Sequence, residues 1–192
     1  MRHRDPRPGL ILDRDGVVNE DCGYLWRVSE CRFVDGIFAM VKAFASRGFA
    51  VVIATNQAGI ARGYYGEDDF HVLMNWMREE FRRRDVAIDA VYHCPYHPTE
   101  GIGDYRRASP RRKPAPGMLL QAAHDLGLDL ARSWCVGDKA TDIEAGRAAG
   151  VGTLVLFDPA ECDTLRHGDH WIVPDLAAVT RLLERSSREV CP

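Results

Sequence analysis

No apolar run in this 192-residue sequence is long enough to cross a membrane or to form the core of a secretory leader. The short stretch Leu10–Leu12 is interrupted at once by Asp13, Arg14 and Asp15, so a cytoplasmic address and no membrane partner are expected. Neither sign of charge dominates: 25 Lys and Arg face 28 Asp and Glu, a formal net charge of −3 that excludes the basic signature of a nucleic-acid coat. The six cysteines, at positions 22, 31, 94, 135, 162 and 191, lack tight paired spacing, and a chain of this length needs no disulfide staples, so reduced thiols are expected. Internal repeats, heptads and low-complexity linkers are missing too. With 46% hydrophobic and 28% charged residues, what remains is one compact globular domain spanning 1–192.

Short β-rich runs alternate with helical patterns. Leu10–Leu12, Phe49–Ala54, Ala90–Tyr92, Trp134–Val136 and Thr153–Phe157 read as strands, and their mostly unalternating apolar character suits burial on both faces. Ile37–Ala45, Phe70–Arg83, Gly117–Leu126 and Ile143–Ala149 carry helical periodicity, with Gly48, Gly127 and Gly150 as stops. The order predicts an α/β, doubly wound, mainly parallel sheet of Rossmann-like type. Trp171–Val173 is expected to add an edge strand and Leu176–Leu183 a last helix, with a frayed tail over Ser186–Pro192. Residues 94–115, rich in Pro, Gly and Arg, form a long loop expected beside the functional site.

Ligands of open α/β sheets bind beyond the C-terminal ends of the strands. Four such places are chemically loaded: Asp13-Arg14-Asp15-Gly16, Thr55-Asn56-Gln57, Arg112-Lys113-Pro114, and Gly137-Asp138-Lys139 followed by Asp142. Carboxylates as close as Asp13 and Asp15 repel unless a hard divalent cation or a shared proton relieves them. Thr55, Asn56 and Lys113 add hydroxyl, amide and ammonium donors, so together the segments supply ligands for Mg2+ and a clamp for an anion, the parts that phosphoryl chemistry needs. Blander roles stay open for single residues. Asp142 could cap a helix, Lys139 could balance its acidic neighbours, Thr55 could bond locally, Lys113 could be solvated, and Arg62 could form a surface ion pair.

The set Asp13-x-Asp15-Gly16, Thr55, Lys113 and Gly137-Asp138-x3-Asp142 resembles the four ordered motifs of the haloacid dehalogenase-like phosphatases. DRDGVVNEDCGY at 13–24, TNQAGIARGYY at 55–65, CPYHP at 94–98, RKPAPGML at 112–119 and GDKATDIEAGRAAG at 137–150 are more similar still to the heptose bisphosphate phosphatases and the related histidinol phosphate phosphatases. The resemblance implies Asp13 as a nucleophile that becomes an aspartyl phosphate. It makes Asp15 the acid and base, with its backbone carbonyl on Mg2+, and Asp138 the remaining metal ligand. Thr55, the Asn56 backbone and Lys113 would hold the transferring phosphoryl group, with Lys139 and Asp142 in support. Covalent catalysis divides the displacement into two steps, and the donors neutralise charge on the equatorial oxygens.

Asn19, Asp21, Gln57, Arg62 and Arg112 lie in the resembling segments and are the candidates to hold the leaving part of the substrate. Sugar hydroxyls need paired donors and acceptors, and a second phosphate needs a forked cation. The resemblance therefore implies a small phosphorylated sugar, a heptose 1,7-bisphosphate losing its 7-phosphate, in a route toward a bacterial lipopolysaccharide or capsule. Histidinol phosphate or another small metabolite is the enzymatic alternative. A noncatalytic phosphosugar-binding protein and a docking scaffold are the alternatives from other classes.

The sequence departs from the family at its structural zinc loop, which uses Cys-x-His and then Cys-x-Cys. Cys94 is kept, but Tyr96, Ser109 and Arg111 stand at the other positions, so no structural zinc is expected there. His93, Cys94 and His97 remain a conceivable different arrangement. Without metal, Tyr96, Tyr105, prolines and arginines must order the loop. The spacings from Asp15 to Thr55 and from Tyr92 to Arg112 leave no room for a large cap. The basic cluster Arg106, Arg107, Arg111, Arg112 and Lys113 has little aromatic interleaving, so no nucleic-acid partner is expected, and the chain is expected to be a monomer.

Overall fold

The computed structural model describes residues 6–189. Its sheet has seven strands: β1 (Gly9–Leu12), β2 (Ala50–Asn56), β3 (Ala90–Cys94), β4 (Trp134–Gly137), β5 (Thr153–Phe157), β6 (Leu165–His167) and β7 (His170–Val173). They lie in the order β3-β2-β1-β4-β5-β7-β6, parallel except for the antiparallel β6–β7 pair. The helices are α1 (Ile37–Ala45), α2 (Ala58–Ala61), α3 (Glu67–Arg82), α4 (Gly117–Leu126), α5 (Ala140–Ala149) and α6 (Leu176–Glu189). This is the expected doubly wound α/β fold.

Each central strand is apolar on both sides because each side meets helices. Leu10, Leu12, Val51 and Ile53 share one core with buried residues of α1, α3 and α6. Ile11, Ala50, Val52 and Ala54 share the other with Met118, Leu119 and Ala122 of α4 and Ile143 and Ala145 of α5. A fully buried Leu- or Ile-sized side chain contributes roughly 1.5–3 kcal/mol by leaving water, so this two-sided burial is what holds the strand ends in register.

Two expectations are corrected, and one strand is added. Trp171–Val173 is not an edge strand: β7 pairs with β5 on one side and with β6 on the other. β6 is only three residues long and exposed throughout, so no apolar signal announces it. The segment from Ser186 is not frayed as far as Glu189, since α6 continues there after its apolar stripe ends, and the Ser186 and Ser187 hydroxyls donate to the Leu183 carbonyl at 2.9 Å each. The remainder of the predicted tail, 190–192, lies outside the described residues. Cys22, Cys31, Cys94, Cys135 and Cys162 are unpaired, and Cys191 is likewise outside.

No helix among the described residues is long and apolar enough to cross a membrane. The intervals that would carry a large cap hold little: between β1 and β2 there is a 3-10 turn at Val28–Glu30 and α1, and between β3 and α4 a 3-10 turn at Gly103–Tyr105. The chain reverses its direction of sheet growth between β1 and β4. The C-terminal ends of β1, β2 and β4 therefore meet around one crevice.

Candidate active site

That crevice is a cavity of about 310 Å³ whose lining includes Asp13, Asp15, Asp21, Tyr24, Gln57, Arg112, Lys113, Lys139 and Asp142. Asp13 directly follows β1, and its backbone N–H donates to the Val136 carbonyl of β4 at 3.0 Å, which holds it to the central strands. Lys113 reaches in from the long loop. Its Nζ donates to Asp13 Oδ1 and to the Ala54 carbonyl, both at 2.8 Å, and lies 2.5 Å from Asp142 Oδ1, an ion-pair contact. Burial alone would depress the Lys113 ammonium, but Asp13 and Asp142 outweigh it and hold its pKa above the ordinary lysine value.

The loop that carries Lys113 is held by Asn56 at the end of β2. Asn56 Nδ2 donates to the Lys113 carbonyl and Asn56 Oδ1 accepts from the Lys113 N–H, each at 3.0 Å. Asp142 Oδ2 accepts the Lys139 N–H at 3.1 Å. The same carboxylate thus caps the start of α5 and pairs with Lys113, so the capping and supporting roles coexist. Two glycines make this closeness feasible. At Gly16, φ is 92° and a Cβ would stand 2.2 Å from Asp138 Oδ2; at Gly137 it would stand 2.1 Å from Asp142 Cβ.

Carboxylate oxygens of Asp13, Asp138 and Asp142 lie within 4.8 Å of one another. Burial, then the charge of Asp13, pushes Asp138 up to about 6, and its Oδ1 is buried without a hydrogen-bond partner. Hard oxygen donors in mutual repulsion, with an orphaned buried oxygen among them, fit Mg2+. Asp142, already bound to Lys113 and the backbone, is the least available of the three.

Asp15 is kept apart from this group. Arg14 Nη2 donates to Asp15 Oδ1 and Oδ2 at 2.8 Å each and Arg14 Nε to Oδ1 at 3.1 Å, while Asn19 Nδ2 reaches Oδ1 at 3.0 Å and Gln57 Nε2 reaches Oδ2 at 3.1 Å. Arg14 is 1% exposed; it also donates to the Leu25 carbonyl at 3.0 Å and has the Phe70 ring 5.7 Å away. Sequence reasoning did not single out Arg14, because an arginine between two aspartates reads as a solvated counter-charge. Tyr65 was missed as well. Its hydroxyl, pushed up to about 12 by burial, stays protonated and donates to Gln57 Oε1 at 2.6 Å.

The residues expected to touch the leaving group fall into three sets. Asn19 is fully buried and spends both Nδ2 protons on Asp15 and the Glu20 carbonyl. Gln57 is 1% exposed and gives its amide protons to Asp15 and to Thr55 Oγ1, the latter at 2.8 Å. These side chains hold Asp15 and Thr55 rather than projecting free donors toward a sugar. Arg62 is not a lining residue; it bonds Tyr24, which is, and Glu100, which is not. Asp21 and Arg112 line it, as do Gln57 and Lys139, the last expected only in support: Lys139 Nζ sits 3.1 Å from Asp21 Oδ2 and 3.4 Å from Asp138 Oδ2, and Arg112 Nη1 donates to the Tyr96 carbonyl at 3.1 Å.

The long loop is ordered by its own aromatic and arginine contacts. The Arg107 guanidinium lies 3.9 Å from the Tyr96 ring centroid, the His97 N–H donates to the Tyr105 carbonyl at 3.1 Å, and the Tyr105 hydroxyl donates to Glu67 Oε1 at 2.9 Å. His93, Cys94 and His97 do not gather. His93 faces Glu67, the buried Cys94 packs in the core on the α4 side, and His97 Nδ1 accepts the Glu100 N–H at 3.0 Å.

Residues 110–179 match the family model described as HAD-hydrolase-like. The chain is 52% identical over 148 residues to the D-glycero-alpha-D-manno-heptose-1,7-bisphosphate 7-phosphatase of Burkholderia mallei, covering 77% of this chain and 78% of that protein. It is 38% identical over 183 residues to the D-glycero-beta-D-manno-heptose-1,7-bisphosphate 7-phosphatase of Escherichia coli K12, covering 94% and 96%. The crystal structure of D,D-heptose 1,7-bisphosphate phosphatase from B. bronchiseptica, complexed with magnesium and phosphate, superposes with a TM-score of 0.77 at 30% identity, covering 93% of this chain and 99% of that one.

Proposed function

The chain belongs to the haloacid dehalogenase-like phosphatases, within the heptose-1,7-bisphosphate 7-phosphatase family, and is a phosphoric monoester hydrolase; on that premise we propose that it removes the 7-phosphate of D-glycero-D-manno-heptose 1,7-bisphosphate. The observation that carries the reading is the Asp13–Lys113 pair, 2.8 Å apart and buried at the end of β1, beside Asp138 and facing a cavity lined by the cations Arg112 and Lys139.

In the first step a carboxylate oxygen of Asp13 attacks phosphorus and forms an aspartyl phosphate. The bond from phosphorus to the C7 oxygen breaks, and Asp15 gives that oxygen a proton. In the second step Asp15 takes a proton from water, which attacks phosphorus and releases inorganic phosphate and the Asp13 carboxylate. Lys113, the Thr55 hydroxyl and the Asn56 backbone N–H balance charge on the transferring group. Arg14, Asn19 and Gln57 fix the Asp15 carboxylate at a set angle to the cavity. Mg2+, held by Asp13, Asp138 and the Asp15 carbonyl, would supply electrostatic stabilisation of the phosphoryl oxygens.

Arg112 and Lys139 are the cavity cations that suit the phosphate that stays on the sugar. The higher identity to the alpha-named relative favours the α anomer. The enzyme acts as a cytoplasmic monomer, and its product feeds nucleotide-activated heptose synthesis for lipopolysaccharide or capsule. Mg2+-dependent phosphate release is measured with both heptose bisphosphate anomers and with histidinol phosphate. The expected result is a higher kcat/KM for a heptose bisphosphate, with the α anomer first. A preference for histidinol phosphate would overturn the substrate, and no turnover of any of them would overturn the catalytic reading.

A further inference from the structure

Away from the catalytic cavity, Glu67, His71 and His93 each offer one metal-capable atom, and these atoms lie within 4.8 Å of one another. Glu67 and His71 are four residues apart on α3, hence one turn apart on the same helix face, and His93 comes from β3. Glu67 Oε2 is already 3.3 Å from His93 Nε2. The remaining geometry is set by packing. The buried Phe70 ring lies 4.4 Å from the His93 ring, the His71 ring stands at 88° to His93 with centroids 5.6 Å apart, and Tyr105 holds the other Glu67 oxygen at 2.9 Å.

The mechanism uses none of these groups. Two imidazoles and a carboxylate are borderline-soft donors that suit Zn2+ better than Mg2+, and the exposure of His71 leaves room for solvent as a fourth ligand. The Tyr105 hydroxyl on Glu67 is the kind of outer hydrogen bond that orients a ligating carboxylate. Side chains alternate along β3, so this cluster lies on the opposite face of the strand from Cys94. It is therefore separate from the thiolate loop site whose residues this chain lacks.

We propose that Glu67, His71 and His93 form a Zn2+ site that joins α3 to β3 and, through Tyr105, to the loop of residues 94–115. Bound metal tightens the base of the loop that delivers Arg112 and Lys113, without entering the reaction.

The full-length protein is dialysed against micromolar Zn2+ in millimolar Mg2+, which keeps the aspartate site filled, and bound zinc is counted. One equivalent is expected for the wild type and for Asp138→Asn, with affinity weakened at least about tenfold in His71→Ala. His71 is exposed, so that variant folds without disturbing the core; Glu67→Gln supplies a second test. Zinc should slow tryptic cleavage after Arg106 and Arg107 in the wild type and not in His71→Ala. No zinc retained by the wild type, or zinc lost from Asp138→Asn and kept by His71→Ala, overturns the site. Cleavage unchanged by zinc overturns the tie to the loop.

Discussion

Asp13 and Asp15 are separated by one residue, yet they sit in opposite electrostatic company. Asp13 shares its surroundings with two other carboxylates and one buried ammonium, and the cluster remains short of positive charge. Asp15 is surrounded by donors from Arg14, Asn19 and Gln57, with no other carboxylate in its set. Under the proposed mechanism the first arrangement takes up a cation and presents Asp13 to phosphorus, and the second holds the Asp15 carboxyl group at one angle to pass a proton. Two identical side chains thus have different neighbours, and the proposed mechanism gives them separate tasks on that ground, as in other acid and base pairs.

The contrast is sharpest if Asp13 is replaced. Asp13→Asn should lower kcat by about ten-thousandfold or more and leave no acid-stable phosphate on the protein in a quench experiment; near-normal turnover would remove Asp13 as nucleophile. Asp15→Asn should cost about a thousandfold on the sugar phosphate. With an aryl phosphate, whose leaving group needs little protonation, that variant should accumulate phosphoprotein because hydrolysis has lost its base. If the Asp13 and Asp15 variants behave alike in the quench, the proposed division fails.

A smaller effect tests the support around Asp15. Arg14→Lys keeps the charge and loses the fork, so kcat should drop about thirtyfold while KM changes little. A KM effect alone would move Arg14 to substrate binding. The smallest effect concerns stability. Asp138 is raised from its unfolded value of 3.8 to about 6 by burial and Asp13, with Asp142 adding to the rise and Lys139 opposing it. A raised carboxyl favours folding below its unfolded pKa and loses that contribution as pH climbs through about 6. Without divalent metal at neutral pH, Asp138→Asn should therefore melt about 2–4 °C above the wild type, and the gap should close toward pH 4. Thermal melts in chelator at both pH values check the sign, and a lower melting temperature for the variant at neutral pH would contradict it.

Much of the architecture was legible because burial on both faces leaves a plain mark. Strands such as Val51–Ala54 must be apolar throughout, and helices such as α4 must carry one apolar stripe and end at a residue like Gly127, whose φ is 63°. Elements without that mark escaped notice. α2 is four residues long, too short for a period, and β6 has no buried residue. α6 outlasts its apolar stripe because backbone hydrogen bonding continues where side-chain burial has stopped.

The site divides along the same line. Residue order alone placed Asp13, Asp15, Thr55, Lys113 and Asp138 near the C-terminal ends of the central strands, because each follows a strand or stands in a motif whose position in a doubly wound sheet is set by topology; Asp13, Asp15 and Lys113 line the cavity, while Thr55 is buried beneath Gln57 and Asp138 stands beside the lining. Only the tertiary structure decided what each polar side chain faces. Asn19 and Gln57 look like free donors in the sequence and are saturated in the fold. Arg14 looks solvated and is among the most buried side chains. Whether a charge meets water, a partner or a second charge depends on groups brought together by the fold, here the Leu25 carbonyl, the Phe70 ring and Tyr65 around Arg14, and the local sequence around it does not specify those contacts.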